Sequence, residues 1–172
     1  MFIKYLDNAF DFKDQENMFI FCLDQDYRIG WEDTNFNPTI NKWFFHAPVY
    51  KEKLEKIDID NKIRSLGFGE YLESYKLSNC VVNCSRPGET YYEHTHPNTL
   101  VVLYYPNDKW NREWGGETMF YSKNREHLEL ASEYKPNRLM IFDGEIPHSV
   151  RPPSYKADQY RFTMSFFYKK CK

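Results

Sequence analysis

A chain of 172 residues has the length of one domain and can bury a substantial core without disulfide or metal staples. Its formal net charge of -2 leaves no electrostatic footprint for nucleic acid, and no apolar run approaches the roughly 18 residues that a membrane-spanning helix needs. The aromatic share of 19%, from 14 Tyr, 14 Phe and 4 Trp, suits half-buried pleated surfaces and points toward sheet.

The first seven residues carry an acid early and lack a long apolar stretch, so they do not form a signal peptide. Of the four cysteines, Cys80 and Cys84 are spaced to share one face of a strand; the pattern predicts buried free thiols. A reducing, cytoplasmic compartment fits that usage.

Residues 1–45 are mixed and aromatic-rich. The apolar run at 18–23 reads as a short strand or a buried helical turn. Residues 27–33 read as a loop entering an extended piece, and Pro38 and Pro48 break any long element. From Tyr50 to about Tyr75 the pattern turns helical. Leu54, Ile57, Ile63 and Leu66 recur at three- to four-residue spacing among Lys and Glu, and Gly67 and Gly69 mark a stop or hinge. One or two amphipathic helices packed on the outside of a sheet are expected there.

After Leu77 the chain changes to short strands at regular spacing. They fall at 80–84, at 90–94 after a Pro87-Gly88 turn, and at 99–105 before Pro106-Asn107-Asp108. Others follow at 118–121 after Gly115-Gly116, at 138–142 before Asp143-Gly144, and in the alternating run 161–168. The expected fold is mainly β with flanking helices (α+β), a double-stranded β-helix or cupin-like jelly roll. Residues 1–172 form a single domain in this reading: a covering region at 1–76 and the jelly-roll core at 77–172.

The chemistry concentrates at residues 93–98 (EHTHPN). On an extended segment His94 and His96 point to the same face, and neutral imidazoles at that spacing can take neighbouring corners of one metal ion. A pair of solvated surface histidines is the plainer alternative. His148, in residues 146–150 (IPHSV), is the best third ligand, and Arg161 opens the last alternating strand, facing either the barrel mouth or solvent. A guanidinium fork holds a carboxylate through two parallel charge-assisted bonds.

In order and spacing, residues 103–110 (LYYPNDKW), 114–121 (WGGETMFY), 136–144 (PNRLMIFDG) and 146–150 resemble the 2-oxoglutarate/Fe(II)-dependent oxygenases, in particular their prolyl 4-hydroxylase-like branch. The resemblance covers roughly residues 78–168, and the first two motifs together are similar to small oxygenases of phages and marine bacteria. It implies that His94 and His148 bind iron, that Arg161 grips the distal carboxylate of 2-oxoglutarate, and that Tyr105 hydrogen-bonds that carboxylate. For Tyr105 simple packing on the barrel face is the alternative. It further implies Fe(II), 2-oxoglutarate and O2 as cofactor and co-substrates, release of succinate and CO2, and hydroxylation of a protein or peptide substrate, with proline as the model residue. Ascorbate is an accessory reductant that the resemblance leaves open. A phage-encoded enzyme acting in a bacterial host is compatible with it; oligomeric state carries no signal.

One position departs from the family. Its triad is His-x-Asp/Glu…His, whereas the carboxylate position here is His96. Three possibilities stand: His96 is the third ligand, the protein supplies none, or another carboxylate does so. Glu93 is one such carboxylate, though it would need a local bulge to reach the same face. A zinc site that activates water, or a barrel that binds without catalysis, are the rival functions. Among the remaining polar residues, Asn83 and Arg86 are placed to line the cofactor pocket and Glu117 to support the site or its turn. Asp143 and Glu145 can orient an imidazole or simply serve the loop. His46 is expected to be packed or partly exposed, and His127 solvated.

Overall fold

The computed structural model describes residues 2–30, 45–89 and 92–171. The expected strand at 90–94 therefore lies partly outside the described residues, as do Trp31 and Pro38. Ten strands are described: β1 (Ile3–Leu6), β2 (Arg28–Ile29), β3 (Phe45–Val49), β4 (Tyr75–Ser85), β5 (Thr99–Tyr104), β6 (Thr118–Tyr121), β7 (Leu128–Ser132), β8 (Leu139–Asp143), β9 (His148–Val150) and β10 (Arg161–Lys170). Four helices accompany them: α1 (Phe12–Leu23), α2 (Lys51–Lys56), α3 (Ile59–Ile63) and α4 (Gly69–Leu72).

The apolar run at 18–23 is the second half of α1. Asp11 accepts a hydrogen bond from the Asp14 amide at 2.8 Å and caps the helix about two turns before the run at 18–23 begins. Met18 and Cys22, four apart, then share the buried face. The stretch 51–72 is a chain of short helices rather than one or two long ones, because Leu66 and Gly67 leave helical geometry between α3 and α4. Arg64 closes the bend by donating to the carbonyls of Leu72 (2.9 Å) and Tyr75 (2.8 Å).

The strands form two antiparallel sheets, one of seven strands ordered β1-β8-β5-β10-β4-β3-β2 and one of three ordered β7-β6-β9. This is the double-stranded β-helix expected of the pattern. Strand β10 lies at the centre of the larger sheet, between β4 and β5, and its residues alternate between two apolar clusters. Phe162, Met164, Phe166 and Tyr168 join Met18, Cys22, Leu54, Ile59, Ile63 and Leu72 under the helices. Phe167 joins Val101, Leu103, Tyr105, Phe120, Met140 and Phe142 between the sheets. The helical region and the larger sheet thus share one core, and the Tyr168 hydroxyl ties them further by donating to Asp60 at 2.7 Å. All four cysteines are free, three of them buried. No helix among the described residues is long and apolar enough to cross a membrane.

Candidate functional site

The site forms where residues 92–96 cross strand β9. The His94 amide donates to the His148 carbonyl at 2.9 Å, and the His148 amide returns a bond to His94 at 3.0 Å. Directly paired residues of antiparallel strands project side by side on one face, and the two rings lie 4.5 Å apart between centroids. His96 enters at 4.9 Å from His94 and 5.2 Å from His148. It belongs to no strand. Among the described residues the ladder is confined to the single bridge at His94, and the His96 amide turns to the Gly144 carbonyl at 2.7 Å. A Cβ on Gly144 would collide with the His96 carbonyl and sit 2.7 Å from that of Thr99, so only glycine lets the two segments approach this closely.

One donor nitrogen from each of His94, His96 and His148 lies within 4.8 Å of the others. Metal–nitrogen bonds of about 2.1 Å allow donors up to about 4.2 Å apart, so small ring rotations close the set around an ion. The His148 Nδ1 is 2.7 Å from the Ile146 carbonyl and the His94 Nδ1 is 3.0 Å from that of Tyr92. Donation from Nδ1–H leaves the lone pair on Nε2 for a metal. His96 instead packs edge-on against Phe167, at 4.7 Å. Burial, assisted by the charge of His94, pushes the His96 pKa down to about 3, and burial drives His148 well below its ordinary value. Both are neutral at physiological pH, as ligation requires.

Among the described residues no carboxylate joins this cluster. Glu93 turns away to Arg125 at 3.1 Å. Asp143 accepts from the Glu145 amide at 3.0 Å and Glu145 from the Asn98 amide at 2.8 Å, so both serve the loop. The carbonyl of Ile146 takes the orienting role considered for them. Glu117 pairs with Arg151 at 3.3 Å and supports its turn.

Arg161 lies at the opposite end of the β10 face that carries Phe167. It is fully buried, not at a solvent-exposed mouth. Its Nε donates to the Gly116 carbonyl at 2.7 Å and its Nη2 to the Thr118 hydroxyl at 3.3 Å. Gly116 permits this approach, since a Cβ there would lie 3.0 Å from the arginine Cδ. The Tyr105 hydroxyl shares the same Thr118 oxygen at 2.7 Å. Among the described residues no acid pairs with this guanidinium, so its remaining N–H donors can serve a carboxylate. Between the two ends, Ser165 and Thr163 face inward from β10, and Asn83 on β4 donates to the Ser165 hydroxyl at 3.2 Å. Asn83 therefore lines the interior as expected; Arg86 does not, and lies over the Phe45 ring beside Glu89.

Sequence reasoning missed Tyr134, Asn107 and Trp110 as parts of the Arg161 end. Asn107 and Trp110 stood inside a quoted motif without a role, and Tyr134 had no local signal at all. His46 lies in β3, partly buried, and burial and Arg28 lower its pKa; His127 is exposed.

Residues 80–169, just over half of the chain, match the family model described as the 2OG-Fe(II) oxygenase superfamily. No curated protein sequence matched the chain. Among solved structures, a Pseudomonas putida prolyl-4-hydroxylase is similar at 14% identity and a TM-score of 0.71, over 98% of this chain and 92% of that one. A Trichoplax adhaerens prolyl hydroxylase, solved with a peptide of the hypoxia inducible factor oxygen degradation domain, gives 19% identity and a TM-score of 0.74 over 98% and 83%. HygX from Streptomyces hygroscopicus, solved with nickel and 2-oxoglutarate, gives 9% and 0.72 over 98% and 82%.

Proposed function

The chain belongs to the 2OG-Fe(II) oxygenase superfamily and is a 2-oxoglutarate-dependent dioxygenase, and from that premise we propose that it hydroxylates a peptidyl substrate, with proline the first residue to test. The observation that carries this reading is the pairing of a three-imidazole cluster, partly buried at His94 and His96 and buried at His148, with a fully buried guanidinium that no acid pairs among the described residues. In this reading residues 1–172 act as one unit, the helices of residues 1–76 covering the jelly-roll core at 77–172, since helices and sheet share an apolar core.

His94, His96 and His148 hold the Fe(II). The donor set fits: three imidazole nitrogens, two with their tautomer set by a backbone carbonyl. His96 stands where the family has a carboxylate, so the ligand shell carries no negative charge and a dianionic co-substrate balances the metal alone. Arg161 holds the distal carboxylate of 2-oxoglutarate, with the Tyr105 hydroxyl beside it through Thr118. Bound Fe(II) and O2 supply the oxidising chemistry: one oxygen atom enters the substrate as hydroxyl and the other enters succinate, with loss of CO2. The buried walls (Leu103, Phe120, Met140 and Phe142) keep water from the reacting centre. Two prolyl hydroxylases among the similar structures, one with a peptide bound, support the peptidyl class.

Anaerobic titration with Fe(II) and 2-oxoglutarate should produce a metal-to-ligand charge-transfer band, and admission of O2 with proline-containing peptides should release succinate. No band and no succinate would overturn the reading, and turnover with zinc but not iron would replace it with hydrolytic metal chemistry. His96→Asp should keep or strengthen iron binding.

A further inference from the structure

We infer that Tyr134 is the positioning residue for Arg161, setting the plane of its guanidinium and so creating the preference for a 2-oxo acid with a second, distal carboxylate. This rests on the reading of Arg161 as the co-substrate anchor.

The guanidinium is hydrogen-bonded to the protein through Nε and Nη2, to the Gly116 carbonyl and the Thr118 hydroxyl. Two such bonds fix its position but leave it free to tilt. The aromatic rings restrict the tilt: its central carbon lies 4.8 Å from the Tyr134 centroid and 5.4 Å from that of Tyr105, and the two rings stack on each other at 4.5 Å. Tyr105 follows directly on β5, and its backbone pairs with Asn137 and Arg138, so the larger sheet places it. Tyr134 has no strand of its own, lying between β7 and β8.

What holds Tyr134 is its hydroxyl. It donates to the Phe162 carbonyl at 2.6 Å and shares that proton with Asn107 Oδ1. The same Asn107 oxygen accepts from the Phe162 amide at 3.0 Å, and its Nδ2 donates to the Tyr160 carbonyl at 2.9 Å. Tyr134 and Asn107 thus grasp the backbone on both sides of residue 161. Burial raises the phenol pKa well above its ordinary value, so the hydroxyl remains a donor. Bidentate recognition of a carboxylate needs a defined guanidinium plane. A 2-oxo acid lacking the distal carboxylate gains nothing from it.

The test measures anaerobic dissociation constants of 2-oxoglutarate and 2-oxobutyrate on the Fe(II)-loaded protein, read by the fluorescence of Trp110, which lies 4.7 Å from the Tyr134 ring. Tyr134→Phe and Tyr134→Leu should weaken 2-oxoglutarate by roughly 2- to 30-fold, leucine more than phenylalanine, and leave 2-oxobutyrate within about twofold. Equal weakening of both acids, or of neither, in Tyr134→Phe overturns the inference. Should Tyr134→Leu fail to fold, Tyr134→Phe alone decides, since it keeps the ring. Arg161→Met is the control for the premise: it should erase the preference for the dicarboxylate, and if it does not, the anchor assignment fails rather than the role of Tyr134.

Discussion

Along its central strand β10, the two faces of the seven-stranded sheet are equally buried from Arg161 to Tyr168 and differ in what they bury. On β10, Phe162, Met164, Phe166 and Tyr168 meet the helices, while Arg161, Thr163, Ser165 and Phe167 meet the three-stranded sheet, and all eight are buried. On the helix side the polar atoms are few, and stability comes from excluding water from apolar surface. On the inner side a guanidinium, two hydroxyls and the His148 imidazole are buried, where unpaired polar groups are costly. Depth of burial does not separate core from site; the type of group that is buried does.

Substitutions on the two faces should therefore fail in different ways. Phe166→Ala, on the helix side, should cost about 3–5 kcal/mol of stability in denaturant unfolding, while the folded fraction still binds Fe(II) and 2-oxoglutarate normally. Arg161→Met reverses the outcome. Removing a buried charge that has no acid partner among the described residues should leave the ligand-free protein as stable or more so, yet weaken 2-oxoglutarate by about 2–5 kcal/mol in an anaerobic titration. If both variants lose stability alike, the inner face is ordinary core and the contrast collapses.

Gly144→Ala sharpens the comparison at the metal end. The added methyl would meet the His96 and Thr99 carbonyls and displace His96, so metal affinity should fall by about 10- to 100-fold in competition with a chelator. The last prediction concerns pH. The folded state keeps His96 neutral down to about pH 3, whereas the unfolded chain takes up its proton near 6.5. Stability of the metal-free protein is then complete above about pH 6.5 and declines as pH falls from 6.5 toward 3. His96→Gln should flatten part of that slope in urea midpoints measured across the range.

Elements with strong period-two alternation or a clear turn signal were readable in advance. Strand β6 lies where residues 118–121 predict it, and β10 begins at Arg161 as expected but continues to Lys170, past the apolar residues. Strands β1, β3 and β7 carried no usable signal. β7 exposes Leu128 and Leu130 on a sheet edge, so its pattern lacks a buried face, and β3 contains Pro48, tolerated beside β4 near the sheet margin. Of the candidate site, the spacing of His94 and His96 was legible because it is a local property, while His148 and Arg161 entered through the order of the motifs that resemble the family. The pairing of His94 with His148, the departure of His96 from the ladder and the Tyr134–Asn107 hold on Arg161 were not legible.

The strands with clear alternation and the types of metal-capable side chain follow from the chain itself, because alternation and imidazole chemistry act over a few residues. Which faces meet, which carbonyls set the His94 and His148 rings, and that Arg161 is buried with no acid beside it among the described residues were settled by the tertiary structure. Those outcomes depend on register between strands distant in sequence and on a glycine narrow enough for two backbones to touch, and neither is encoded in any short stretch read alone.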